Sequence, residues 1–414
     1  MKNDLIQAMK VAIAHMDRWM DRQPEKTVRL FHHNDSDGLS SGAILTRAFE
    51  RRGVGVRRCC LEKTYPAVLK KIFEQKNQLI VFTDFAGRIA PLIADLNQGN
   101  NLVLILDHHK ASPAPDKWVY NLDPELFGLK GDQEITASVT CYLFAVALDE
   151  KNRDLATIAT IGAVGDGFFV DGRLSGPNRE VALASQSQGY LEIATHASGE
   201  TYRLRTPRGW GPCEEIGDYL DTLGAAGYYR GGPEMGIQVC LEGISDASDR
   251  MLAELRTIQR NAFNREANRI AESAMHITPH IQWIHVGERF APMGVKMIGV
   301  FLSSIRNQVE NQPDLSPEKY LAGFQMVPNE VPGFGRVEIN QVKISMRVCA
   351  SLADKIRAGI SPGMDTFLPE ATSRVDGFSD ACHSLAAATT IDSGREEQLI
   401  VEMEKILSEN GDEC

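Results

Sequence analysis

The sequence predicts an α/β chain: an N-terminal domain on a mostly parallel sheet, a smaller C-terminal α/β domain, and a cleft between them. Three observations carry this. Apolar runs of strand length alternate with helical-period segments over residues 28–106, the pattern of βαβ units. Acids and histidines follow three of those runs, at His32-His33-Asn34-Asp35-Ser36-Asp37-Gly38, at Asp84 and at Asp107-His108-His109. Sheets of this kind bind ligands beyond the carboxyl ends of their strands. A second α/β pattern begins near Ile277.

Leu5, Met9, Ile13, Met16 and Met20 recur at helical spacing and predict an opening helix packed on the domain behind it. Pro24 ends it. Strands are expected at Val28–Phe31, Val54–Cys59, Leu79–Thr83 and Leu102–Leu106, and helices at Leu39–Arg51, Pro66–Glu74 and Ile89–Leu96. Ser138–Leu148 and Leu155–Val164 read as helices, the second running into Asp166. From Ser185 to Pro233 glycines interrupt the pattern, as in Gly209-Trp210-Gly211-Pro212, and a partly helical insertion or hinge is expected within a first domain over 1–245. Residues 246–276 read as a connecting helix, built on the charged run Ser248–Ala274. In the C-terminal domain, 277–414, strands are expected at Ile281–Val286, Val295–Leu302, Tyr320–Val327, Val342–Val348 and Ala386–Ile391, with helices at Leu352–Ile356 and Glu396–Ser408.

The chain has 414 residues, 43% of them hydrophobic, which suffices for a packed core and argues against disorder. Its net charge is -11 and no long basic tract exists. That disfavours a large duplex-wrapping protein but leaves room for a short oligonucleotide or nucleotide. The eight cysteines form no CxxC pair, so they read as reduced thiols rather than a structural zinc site. With no signal-peptide core and no run long enough to span a membrane, a cytoplasmic protein with no membrane contact is expected.

In an extended segment, residues two apart project to one side, so His33, Asp35 and Asp37 can face one site while His32 faces away. Gly38 allows a tight turn before a helix at Leu39, whose free N–H groups would favour an anion. The same motif also reads as a solvated loop with an N-cap aspartate. Asp84 ends a buried strand; it is a cap or, through its two oxygens, a shared metal ligand. In Asp107-His108-His109 the adjacent histidines diverge, so one can take a metal and the other face substrate, with Asp107 orienting a ring. Asp166 lies in Gly162-Ala163-Val164-Gly165-Asp166-Gly167, where small residues allow close backbone approach; alone it would be a glycine-rich turn. Together, carboxylates and imidazoles in this pattern suit divalent metals. Arg47, Arg51, Arg52, Arg57, Arg58 and Lys63 form a basic concentration that reads as a solvated face or, less often, as a backbone track.

In order and spacing, HNDSDGLSSG, the TDFAG aspartate, DHH and GAVGDG resemble the four motifs of the DHH phosphoesterase superfamily, in the form seen in RecJ-type and archaeal-type exonucleases. The resemblance is strong over residues 28–169 and weaker beyond. It implies a two-metal hydrolase in which His33 and Asp35 hold one ion, Asp37, His108 and Asp166 the other, Asp84 bridges both, and His109 contacts the scissile phosphate. Manganese is the implied metal, with Mg²⁺ second; the catalytic pair is Asp84, beside the water the metals would activate, and His109, which with Arg347 would neutralise charge on the phosphoryl oxygens. The family's C-terminal GGHxxAAG element is matched only in part by Ala381-Cys382-His383-Ser384-Leu385-Ala386-Ala387-Ala388, all three glycines being replaced. Arg347, His383 and Ser384 are the expected substrate contacts there. The expected substrate is a short single-stranded oligonucleotide or small dinucleotide. A phosphoanhydride hydrolase and an inactive scaffold relative are the alternatives.

Overall fold

A computed structural model describes residues 1–206, 209–272, 275–309 and 315–411. The chain forms two compact units, Met1–Leu255 with Pro332–Gly335, and Arg256–Val331 with Arg336–Cys414.

The first unit opens on α1 (Lys2–Met20), which buries Leu5, Met9, Ile13, Met16 and Met20 as the spacing requires. Then come β1 (Thr27–His32), α2 (Ser36–Arg51), β2 (Gly55–Cys60), α3 (Pro66–Phe73), β3 (Leu79–Thr83), α4 (Ala90–Asn97), β4 (Leu102–Leu106) and β5 (Val119–Asn121). The five strands form one parallel sheet in the order β2-β1-β3-β4-β5. Leu79–Thr83 and Leu102–Leu106 are buried along their whole length, which explains why they are continuously apolar rather than alternating. The α/β class and the parallel sheet match the sequence expectation.

Helices α5 (Ala137–Leu148), α6 (Ala156–Asp166) and α7 (Gly176–Ser187) follow. The glycine-rich stretch differs from its reading. It is partly helical, but it also holds an antiparallel sheet of β6 (Leu191–His196), β7 (Gly199–Thr206) and β8 (Gly209–Pro212). Tyr202 and Leu204 are buried between exposed neighbours, a period-two signal too short to stand out among glycines. After it come α8 (Cys213–Asp221), a π-helical turn over Thr222–Ala226, α9 (Gly232–Glu242) and α10 (Asp246–Ala271).

The second unit holds β9 (His276–Ile277), β10 (Ile281–Gly287), α11 (Met297–Val309), β11 (Tyr320–Met326), the short β12 (Glu330–Val331) and β13 (Gly335–Arg336), β14 (Gln341–Arg347), α12 (Ala350–Arg357), α13 (Met364–Arg374), β15 (Phe378–Cys382), β16 (Ala386–Asp392) and α14 (Glu396–Gly411). Its main sheet runs β15-β16-β14-β11-β10-β9, around a core that includes Ile281, Phe324, Ile344, Phe367 and Met403. The strand expected at Val295–Leu302 is instead α11. Ile298, Phe301, Leu302 and Ile305 are all buried, and that i, i+3, i+4, i+7 spacing is a helical face; a short apolar run does not separate the two readings. Among the described residues no helix is long and apolar enough to cross a membrane.

Candidate metal centre

The site is built where β1, β3 and β4 end. Beyond β1, Asp35 is the N-cap of α2: its Oδ1 accepts the Gly38 N–H at 3.0 Å, and its Oδ2 lies 2.7 Å from His33 Nδ1. The helix begins at Ser36, three residues earlier than expected, so Asp37 stands in its first turn and not in an extended segment. An N-cap aspartate satisfies helix donors and draws the helix back to it. Asp37 accepts from Ala137 N–H (2.8 Å) and Ser138 N–H (3.0 Å), the free donors that open α5. His32 is buried against α2, and burial pulls its ring down to about 4; it is a neutral core histidine.

Asp84 follows β3 with φ at +65°, and Ala86 with φ at +86°. A non-glycine backbone in the left-handed region is uncommon and concentrates at functional sites. This turn sets the carboxylate between two imidazoles: Oδ2 is 3.3 Å from His33 Nδ1 and Oδ1 is 3.4 Å from His108 Nε2. His108 Nδ1 is 2.8 Å from the Gly131 carbonyl. A carbonyl can only accept, so Nδ1 carries the proton and Nε2 is left to ligate. That Nε2 also lies 3.5 Å from Asp166 Oδ2 and 3.9 Å from Asp37 Oδ2. The ligand atoms of His33, Asp35 and Asp84 cluster within 4.8 Å of one another, as do those of Asp37, His108 and Asp166.

Burial, reinforced by the charges of Asp35 and Asp37, holds Asp84 well above the usual carboxylate range. Asp37 is raised by burial, with His108 opposing, and Asp166 is pushed up to about 7 by burial against the same opposition. Burial would lower His108, but Asp166, Asp84 and Asp37 outweigh it and raise the ring well above its ordinary value. Without a cation the site therefore gathers protons that a metal would displace. Asp84 Oδ2 and Asp166 Oδ2 are buried and accept no hydrogen bond among the described residues. Unpaired buried acceptors of this kind, in a set of carboxylate and imidazole donors, fit a pair of divalent cations.

His109 stands beside the ligands. Its Nδ1 is 2.8 Å from Asp107 Oδ1, and Asp107 also accepts from the His108 and Gly87 N–H groups, each at 2.8 Å. Burial opposes the Asp107 charge, but His109, through charge and hydrogen bond, brings the group below its ordinary value. Asp107 thus orients His109 and leaves Nε2 of that ring for another partner. Sequence reasoning missed Gly131, whose role is carried by a backbone carbonyl. It also missed the opening of α5, signalled only by Thr136-Ala137-Ser138. The rings of Phe85 and Phe168, 6.3 Å from His33 and 6.1 Å from His108, were overlooked as well.

In the second unit, Arg347 ends β14, opposite Ala386 at the start of β16. His383 and Ser384 lie in the β15–β16 turn at that same end of the sheet. Arg347 is half-buried, donating from Nε to Ser303 Oγ (3.0 Å) and from Nη1 to the Met346 carbonyl (2.8 Å); burial and then Arg306 lower it to about 10. His383 is exposed. The basic concentration on α2 and β2 is largely paired: Arg51 with Asp154, Arg52 with Asp17 and Arg58 with Glu234. Those pairings favour the solvated-face reading over a backbone track.

Residues 27–165 match the profile described as the DHH family, N-terminal domain. They form a DHH-family domain. It covers β1 to α6 and ends one residue before Asp166. An uncharacterized protein of Methanocaldococcus jannaschii is 28% identical over 207 residues, 48% of this chain and 46% of its own length. The chain thus spans about half of that curated relative. Among solved structures, RecJ of Thermus thermophilus in complex with Mn²⁺ aligns over 97% of this chain and 55% of its own, with TM-score 0.61 and 15% identity. Exonuclease RecJ bound to manganese aligns over 97% and 94%, with TM-score 0.57 and 15% identity. CDC45 from Entamoeba histolytica aligns over 97% and 99%, with TM-score 0.57 and 10% identity. At these identities the likeness is one of fold, and it runs through both units around the DHH domain.

Proposed function

We propose that the chain is a metal-dependent phosphodiesterase acting on short single-stranded oligonucleotides or small dinucleotides. The observation that carries this is Asp84, whose two oxygens each stand beside a different imidazole and ligand group. On this reading His33, Asp35 and Asp84 hold one cation, and Asp37, Asp84, His108 and Asp166 the other, with Mn²⁺ preferred over Mg²⁺. Bound there, a cation pair would acidify water and offset charge on phosphoryl oxygens. The protein's own part is geometric. Gly131 fixes the His108 tautomer, the opening of α5 holds Asp37, and Asp107 presents His109 Nε2 to a phosphate oxygen. Arg347, His383 and Ser384 are assigned to substrate phosphate in the second unit. RecJ, the exonuclease of similar fold, supports a nucleic-acid diester. None of the seven described cysteines forms a disulfide, which supports a reducing, cytoplasmic setting.

A panel of di- and oligonucleotides, cyclic dinucleotides and polyphosphate, assayed with Mn²⁺, tests the reading. Nucleotide release from a diester is expected to be the fastest reaction. Faster phosphate release from polyphosphate would replace the diester with a phosphoanhydride, and no turnover of any member would make the chain a scaffold.

A further inference from the structure

The segment from α8 to the π-helical turn touches two of the segments that carry metal ligands, the β1–α2 loop and the end of α6. Asp221, the last residue of α8, accepts the Ser36 N–H at 2.8 Å through Oδ1. Ser36 is the single residue between Asp35 and Asp37, which belong to different ligand groups. Three residues on, the Gly224 carbonyl accepts from Asn34 Nδ2 at 3.4 Å. Gly224 is pressed so closely on that loop that an added Cβ would lie 1.7 Å from the Asn34 carbonyl oxygen. One turn before Asp221 in α8, Gly217 meets the end of α6: a Cβ there would lie 3.0 Å from Cα of Gly165, the neighbour of Asp166. Ser36 and Gly165 also meet, since a Cβ on Gly165 would lie 2.2 Å from Ser36 Oγ. The π-helical turn is itself a form frequent at functional sites.

We propose that Asp221 is a positioning residue for the metal pair: by fixing Ser36 N–H it sets the spacing of Asp35 and Asp37, while Gly217 keeps the end of α6, with Asp166, in the same frame. The inference rests on the two-metal reading above. Ser36 is the first residue of α2, and its N–H has no partner within the helix. Asp221 supplies that partner from an element 185 residues away in sequence. Its value lies in its oxygen rather than its charge, because a further negative charge beside Asp35 and Asp37 adds repulsion. An amide oxygen at the same place does the same work.

Manganese affinity and stoichiometry, measured by calorimetry, with the spin-coupled signal of an Mn²⁺ pair followed by electron paramagnetic resonance, test this on the full chain. Asp221→Ala should weaken the second ion by on the order of 10–100-fold and diminish the coupled signal. Asp221→Asn should retain both. Ser36→Pro removes the donor instead of the acceptor. Proline is well tolerated at the first helical position, and Asp35 already has the extended backbone it requires (φ -103°, ψ -178°). It should match Asp221→Ala, and the double variant should be no worse than either. Should Asp221→Ala fail to fold, Ser36→Pro decides. Wild-type manganese binding in whichever of the two folds, or losses that multiply in the double variant, would overturn the inference while the wild type still binds two ions. A wild type that binds fewer than two would overturn the two-metal reading and this inference with it.

Discussion

Asp107 and Asp84 show how neighbouring carboxylates take different work from their surroundings. Asp107 is surrounded by donors: three backbone N–H groups and the His109 ring. It stays charged and orients. Asp84 has one buried oxygen that accepts no hydrogen bond among the described residues, and it is pressed by Asp35 and Asp37. It is poised for a cation. The distinction predicts different losses. Asp107→Asn keeps the shape and an acceptor oxygen but removes the charge that holds His109. Turnover should fall by on the order of 10–100-fold, the range typical for a residue behind the ligands, while manganese stoichiometry is unchanged. Loss of bound manganese in that variant would place Asp107 among the ligands instead.

At the level of elements, the opening helix gives the cleanest contrast between two faces. Met9 is fully buried on α1, whereas Val11 on the same helix is 59% exposed. Met9→Ala should destabilise the fold by about 2–5 kcal/mol in a urea titration, and Val11→Ala by no more than about 0.5 kcal/mol. Equal effects would mean that the helix is not docked by the face described. Elements with one strong period were legible in the sequence. Leu79–Thr83 and Leu102–Leu106 match their expected bounds, because buried parallel strands are uninterrupted apolar runs. The order of acids and histidines was legible for the same reason, since side-chain types carry it. What stayed hidden has a physical cause in each case. Val119–Asn121 has three residues and no period to read. The face of α11 passes through an apolar run that also suits a strand. Gly131, Ala137 and Ser138 act through backbone atoms, on which residue identity is silent.

For the molecule as a whole, the acidic centre links stability to pH. In the metal-free fold Asp166 keeps its proton up to about 7, against an ordinary value of 3.8. Between those values the folded chain binds a proton that the unfolded chain has released, so stability falls as pH rises. His108, also raised, acts with the same sign. Two groups have the opposite sign: the Asp107 transition lies below the ordinary carboxylate value, and buried His32, pulled down from 6.5 to about 4, offsets Asp166 until the pH passes 6.5. The melting temperature of metal-stripped protein should therefore fall from about pH 6.5 to about pH 8, where Asp166 and His108 act without that opposition, and saturating Mn²⁺ should flatten or reverse that slope. A stripped protein that grows steadily more stable over this range would show that the carboxylates are not proton-loaded in the fold.

The most direct test of the two-metal centre is equilibrium manganese binding to the wild type and to Asp84→Asn. Asparagine keeps the size of the side chain and tolerates the left-handed backbone at this position, but it removes the charge and one of the two ligand oxygens. The wild type should bind two ions per chain. In the variant both should weaken by more than the roughly 10–100-fold typical of residues behind the ligands. A variant that still binds two ions with wild-type affinity would contradict a centre shared through Asp84.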